Sequence, residues 1–256
     1  MTATAYWGYA RVNDLDGSCE RPGHYELEQG TEWCSCLRLV TTRWIGLAFM
    51  SQLLSAIFKP DGREEAERAK FLSRMFGIFS EKIVSLWCDD ERSPYQDIGR
   101  PTIKTSTTDR GYTLDFTLRE RKTDAVYVAE MKCEIEYQSF RYFILTNAEQ
   151  LKHHRKPAFN VFLRSARPSE DLQAWVCKQK TPFAGAILIW GAVSPSGRMS
   201  AIQEFGLRDA LSLDEMSRDL ISWKCQRYEG LLSERRAWSN QLFDGLLSSA
   251  SVGEAE

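Results

Sequence analysis

Residues 112–137 constrain the fold more than any other stretch, because their apolar period is two and they carry their own turn. Leu114, Phe116 and Leu118 alternate with Thr113, Asp115 and Thr117, the pattern of a strand with one apolar face. A second run, AVYVAEMKCEIEY at 125–137, follows Lys122-Thr123-Asp124, and a third, RPTIKTS at 100–106, precedes Asp109-Arg110-Gly111. Runs rich in β-branched and aromatic residues between turn clusters predict a three-stranded antiparallel meander.

The register follows from the turn. A loop centred between Lys122 and Thr123 sets Asp115 directly opposite Glu130, with Lys132 on the same face; a slip of one residue would turn Glu130 away. Val126 and Val128 share that face, so the charges are expected to be partly buried. Two carboxylates facing each other destabilise a sheet unless something compensates them. Lys132 and a divalent cation are the natural candidates, since Mg²⁺ takes oxygen ligands and is commonly held by one or two carboxylates.

Around the meander the pattern is mostly helical. A helix is expected over 41–58, stopped by Pro60-Asp61-Gly62, and a second over 63–88. The second has Leu72, Met75, Phe76, Phe79, Ile83, Leu86 and Trp87 at helical spacing, and Glu64, Glu65 and Glu67 in its first turn. Helical stretches at 139–155 and 158–165 lead to a continuous apolar strand at 185–191 and a short strand near 210–213. Helices from Asp214 run almost to the end, with Ser212 or Leu213 near the cap. The first forty residues read as short strands and loops. Together these elements predict one α/β (α+β) domain over 61–250, a central mixed sheet flanked by helices, with residues 1–60 as an extension packed on it.

Composition excludes some classes and leaves others open. With 256 residues and 43% hydrophobic content the chain is neither disordered nor fibrous. The apolar stretch at 44–58 is shorter than the roughly 20 residues of a membrane span, so no membrane partner is expected. Seven scattered cysteines, an odd number, and an N-terminus without a basic segment followed by an apolar run point to a reducing, cytoplasmic setting. The net charge is -2, yet between Arg100 and Arg167 basic residues outnumber acidic ones 13 to 8. That asymmetry suggests a basic working face on an acidic body. A metabolic α/β enzyme lacks support, since there is no phosphate-cradling Gly-rich loop and no serine nucleophile elbow.

Asp115, fourteen residues, then Glu130-Met131-Lys132, on adjacent strands after a long helix, resembles the PD-(D/E)XK nuclease superfamily, whose fold is called restriction-endonuclease-like. The resemblance spans roughly residues 63–190, and Leu114 stands where the family often has proline. It implies that Asp115 and Glu130 bind Mg²⁺, with Mn²⁺ able to substitute, that the main-chain carbonyl of Met131 contributes, and that Lys132 serves the attacking water. It also implies a glutamate on the preceding helix, for which Glu81 is the best candidate, beside Arg74, Gly77, Ile78 and Ser85. The implied activity is hydrolysis of phosphodiester bonds, most readily by a DNA endonuclease of restriction or defence, recombination, repair or transposon end cleavage. The fold also allows a homodimer and a non-catalytic nucleic-acid-binding or protein-interaction module.

Further candidates lie outside the motif. Gln150, Lys152, His153, His154, Arg155 and Lys156 form a basic run on or after the next helix, where phosphate contact needs little more than positive charge and donors. Cations at a helix C-terminus explain the same run equally well. Cys19, His24, Cys34 and Cys36 are zinc-ligand types, but their spacing departs from paired CxxC, which favours free thiols. Tyr6, Trp7, Tyr9, Tyr25 and Trp33 could stack on bases, although such residues more often belong to a core.

Overall fold

A computed structural model describes residues 53–58, 63–105, 110–132 and 142–250. The chain divides into two units, Met1–Ala48 and Phe49–Glu256, and the described residues all belong to the second. The expected elements within 1–52, the Cys19–His24–Cys34–Cys36 set and the N-terminal aromatics lie outside the described residues.

The described chain opens with α1 (Leu53–Phe58), α2 (Arg63–Gly77) and α3 (Ser80–Asp89), followed by β1 (Tyr95–Asp97), β2 (Pro101–Lys104) and β3 (Tyr112–Thr113). Next come β4 (Phe116–Glu120), β5 (Val126–Lys132), β6 (Ile144–Leu145), a 3₁₀ turn (Ala148–Leu151), α4 (Pro157–Arg164), β7 (Gln173–Val176) and β8 (Gln179–Thr181). The chain ends with β9 (Gly185–Trp190), β10 (Ala192–Val193), α5 (Pro195–Phe205), β11 (Asp209–Ser212), α6 (Leu213–Ser222) and α7 (Gln226–Ala250). The expected domain boundary near residue 60 falls after α1, which belongs with the second unit: Leu54 is buried and its N–H donates to Asp214 Oδ1 at 2.6 Å.

The central sheet is mixed, in the order β1-β4-β5-β9-β11. β1–β4 and β4–β5 are antiparallel, whereas β5–β9 and β9–β11 are parallel. β9 is buried along its whole length, as its unbroken apolar run requires of a central parallel strand. Two cores cover its faces. Ala129, Ile187 and Ile189 face Ile83, Leu86 and Trp87 of α3 and Met216 and Leu220 of α6. Val128, Leu188 and Trp190 face Phe159 and Phe162 of α4 together with Leu145 and Leu151. The hairpin is centred as expected, with Phe116 opposite Ala129 and Arg119 opposite Val126.

The meander differs from expectation in its first strand. Pro101–Lys104 does not pair with β4; that place is taken by Tyr95–Asp97. β2 instead joins a separate antiparallel sheet in the order β3-β2-β7-β8. Arg110 and Gly111 lead into β3, and a Cβ on Gly111, at φ +79°, would lie 2.7 Å from Thr102 Cγ2 and 2.9 Å from the Ile103 carbonyl oxygen. The helix expected over 63–88 is two helices, because the chain breaks after Gly77, a poor helix former, and leaves Ile78 exposed. Of the helix expected over 139–155, the described residues form β6 and a 3₁₀ turn; β6 pairs in parallel with β10, and Gln150 folds back on the backbone at the turn. The strand near 210, α4 and the Ser212 cap, whose hydroxyl accepts from Glu215 N, agree with the pattern. Among the described residues no helix is long and apolar enough to cross a membrane.

Candidate active site

Asp115 sits where the chain passes from the second sheet to the central one, between Thr113 of β3 and Phe116 of β4. Extending the ladder by one residue sets it opposite Glu130, near the C-terminal end of β5. Its Oδ2 accepts from the main-chain N–H of Met131 at 2.9 Å, which ties the two strands together at this point. Its Oδ1 accepts from Arg100 Nη2 at 3.1 Å, and Arg100 Nη1 lies 3.9 Å from Glu81 Oε2. Glu81 stands in the first turn of α3, half-exposed, so one guanidinium links the helix to the strand.

Glu130 is 7% exposed. Alternation puts it on the face of Val128, beside Leu188 of β9, which explains its burial. Burial pushes its carboxyl above the usual carboxylate range and the neighbouring Asp115 adds to the effect, while Lys132 opposes both. The Lys132 ammonium ion-pairs with Glu130 Oε1 and donates to the Met131 carbonyl oxygen at 3.1 Å. It also lies 5.8 Å from the centroid of the Phe159 ring on α4. The structure thus brings Asp115, Glu130, the Met131 main chain and Lys132 together, with Arg100, which no sequence motif marks, bridging from Asp115 to Glu81. Arg100 is hidden in the sequence because it opens an ordinary-looking strand and is brought to Asp115 only by the second sheet.

The basic run is arranged differently. Gln150 is buried, and its Oε1 accepts from Thr146 N at 2.6 Å and Asn147 N at 3.2 Å while Nε2 donates to the Ile144 carbonyl at 2.9 Å. Its oxygen also accepts from the Thr146 hydroxyl at 3.0 Å, so the amide is engaged within its own turn. Lys152 pairs with Glu149 at 2.5 Å and Glu204 at 2.8 Å. His153 bonds the Gln150 carbonyl, and His154 packs against His153, Phe159 and Trp190. Burial, then the neighbouring His153, Lys132 and Lys156, lower the His154 pKa to about 3, so the ring is neutral. Arg155 and Lys156 are exposed.

Chemically, two carboxylates and one main-chain carbonyl form an all-oxygen acceptor set, and a like-charged pair with one member buried and the other partly exposed favours a cation. Among the described residues no three His, Cys, Asp or Glu side chains converge as a metal-holding group. The set therefore suits an ion that keeps several waters, and Arg100 and Lys132 supply the positive charge in this structure. Comparison of the chain with protein-family models, with curated proteins and with solved structures gives no match.

Proposed function

We propose that this chain is a metal-dependent nuclease of the PD-(D/E)XK type, hydrolysing phosphodiester bonds, with DNA as the favoured substrate and a restriction-endonuclease-like core. The observation that carries the reading is the pairing of Asp115 with the Glu130-Met131-Lys132 segment through the 2.9 Å bond from Met131 N. The order helix, three antiparallel strands, helix, parallel strand, in α3, β1, β4, β5, α4 and β9, supports it.

The donor set fits Mg²⁺ or Mn²⁺, which Asp115, Glu130 and the Met131 carbonyl would hold. When bound, such an ion polarises a phosphoryl oxygen and acidifies a water. The chain's own residues do the rest. Lys132, held between Glu130 and the Met131 carbonyl, orients the attacking water and stabilises developing negative charge. The aromatic and aliphatic wall of Phe159, Val128 and Leu188 keeps that ammonium from being fully solvated.

A second reading, a non-catalytic nucleic-acid-binding or protein-interaction module, is favoured by Arg100, which already neutralises Asp115 and reaches Glu81. Incubating the purified protein with supercoiled plasmid and with single strands, with and without Mg²⁺ or Mn²⁺, decides between the two. Cleavage that requires the ion supports the nuclease; intact nucleic acid under every divalent ion leaves the module.

A further inference from the structure

The second sheet has one face in the core and one outside it. Ile103 of β2 and Ala174 of β7 are buried against Leu114, Phe159 and Phe162. By alternation Thr102 and Lys104 on β2, and Gln173 and Trp175 on β7, occupy the opposite face. Register makes one continuous row of Thr113, Thr102, Trp175 and Lys180 across all four strands, with Lys104 opposite Gln173 two residues along. Side-chain contacts agree: Thr102 Oγ1 is 3.5 Å from Thr113 Oγ1, and the Lys104 ammonium is 5.4 Å from the centroid of the Trp175 ring.

No acidic residue stands in either row, and neither Lys104 nor Lys180 makes an ion pair with a described residue. Lys178, exposed in the β7–β8 turn, adds a third cation nearby. The face ends beside the acidic pair. Thr102 is two residues from Arg100 and Thr113 two from Asp115, roughly 7 Å of extended chain in each case.

We propose that this face binds a single-stranded segment of nucleic acid and leads it to Asp115, Glu130 and Lys132. Lys104 and Lys180 hold phosphates, the Trp175 ring takes a base, and Thr102, Thr113 and Gln173 supply hydrogen bonds. Charge complementarity selects a polyanion, since lysines that make no ion pair with a described residue, in rows that hold no carboxylate, gain by releasing its counterions. The four-stranded sheet face selects a single strand. Unstacked bases can lie on an aromatic ring within it, whereas a duplex presents its bases only through grooves that admit a helix or ribbon. The proposal rests on the nuclease reading for the class of ligand alone.

The test is anisotropy of a labelled oligothymidylate, with chelator present so that nothing is cut, at several salt concentrations. Lys104→Ala with Lys180→Ala is expected to weaken binding about tenfold or more and to flatten the log–log salt slope by about 1.4, two phosphates' worth. Trp175→Leu is expected to lose about fivefold or more and Trp175→Phe to stay close to wild type. Lys122→Ala with Arg236→Ala, a matched removal of exposed charge in the β4–β5 turn and on α7, should leave binding unchanged. Unchanged affinity and slope in the double-lysine variant, an equal loss in the matched control, or a duplex bound as tightly as the single strand each overturns the proposal. Because Lys104 and Lys180 are surface residues, their double variant tests the face even where Trp175→Leu fails to fold. Binding as described without cleavage under any divalent ion sinks the nuclease and leaves the face; cleavage with lysine-independent binding does the reverse.

Discussion

The β4–β5 hairpin and the β2–β7 ladder meet around Arg100 and Asp115, yet they treat charge in opposite ways. In the hairpin, Glu130 is buried on a face shared with Val128, and its charge is compensated within a few ångströms by Lys132. In the ladder, Lys104 and Lys180 stand on an outward face without a carboxylate among their strand partners. A low-dielectric surrounding makes each interaction at the hairpin strong and any imbalance costly, so its charges are tied to one another. Solvent makes the ladder's lysines inexpensive to leave unpaired, and they remain available to a partner. On the proposed reading, the first region would carry the chemistry and the second the attachment.

The largest effect expected to break or uphold this division is on cleavage. Asp115→Asn and Lys132→Ala should each reduce metal-dependent cleavage by about 10²- to 10⁴-fold, the usual worth of a positioned catalytic group, while leaving single-strand affinity within about twofold. If either variant cleaves as fast as wild type, the hairpin is not the chemical centre. A gel assay of plasmid nicking beside an anisotropy titration measures both quantities.

Gly111→Ala probes the ladder's own framework. The strained φ and the approach to Thr102 and the Ile103 carbonyl should cost about 1–2 kcal/mol or more, read as a lowered urea midpoint. Binding of the oligonucleotide should weaken, since β2 carries Lys104. A variant as stable as wild type would mean that the entry to β3 at Gly111 is not held as tightly as its contacts imply.

A pH dependence belongs to the hairpin side. His154 is kept neutral in the folded protein down to about pH 3, while an unfolded chain takes up the proton near 6.5. The unfolded state then binds more protons, and stability is lost as pH falls from about 6.5 towards 3, by at most about 1.4 kcal/mol per pH unit. His154→Phe should flatten this part of the stability curve, measured by urea unfolding at pH 4 to 7. A profile with the same slope in both proteins would show that other groups carry the acid sensitivity.

The smallest expected effect lies at the junction of the two regions. Arg100→Ala removes the cation on Asp115 and should tighten Mn²⁺ binding severalfold, an amount in keeping with a half-exposed ion pair. Calorimetric titration of the apo protein reads this without any turnover. Weaker Mn²⁺ binding in the variant would mean that Arg100 supports the cation site instead of competing for it.

Much of the hairpin was legible because its information is local. The alternation of Phe116 and Leu118, the turn at Lys122–Asp124 and the β-branched run before Glu130 are all neighbours in sequence, and a period of two leaves one register for them, although Leu114, read as part of the same face, joins the other core as the chain enters from the second sheet. The Ser212 cap and the all-apolar β9 were legible for the same reason. The β7–β8 hairpin was not. Its two central residues, Cys177 and Lys178, both adopt positive φ without the Gly, Asn or Asp that usually marks such a turn. Nor could local pattern distinguish Tyr95–Asp97 from Pro101–Lys104 as the partner of β4, since both are short and begin on a buried residue.

By itself, then, the sequence determined the turn and register of the hairpin, where Asp115, Glu130 and Lys132 stand relative to one another, and which strand is buried along its whole length. The tertiary structure alone decided that β2 leaves the meander for β7, that Arg100 therefore reaches Asp115 and Glu81, and that Gln150 and Lys152 turn to the protein's own backbone and carboxylates. The physical reason is range. Side-chain alternation and turn geometry are set by a few adjacent dihedrals, whereas sheet membership and the pairing of charges are set by which distant surfaces bury the most apolar area together.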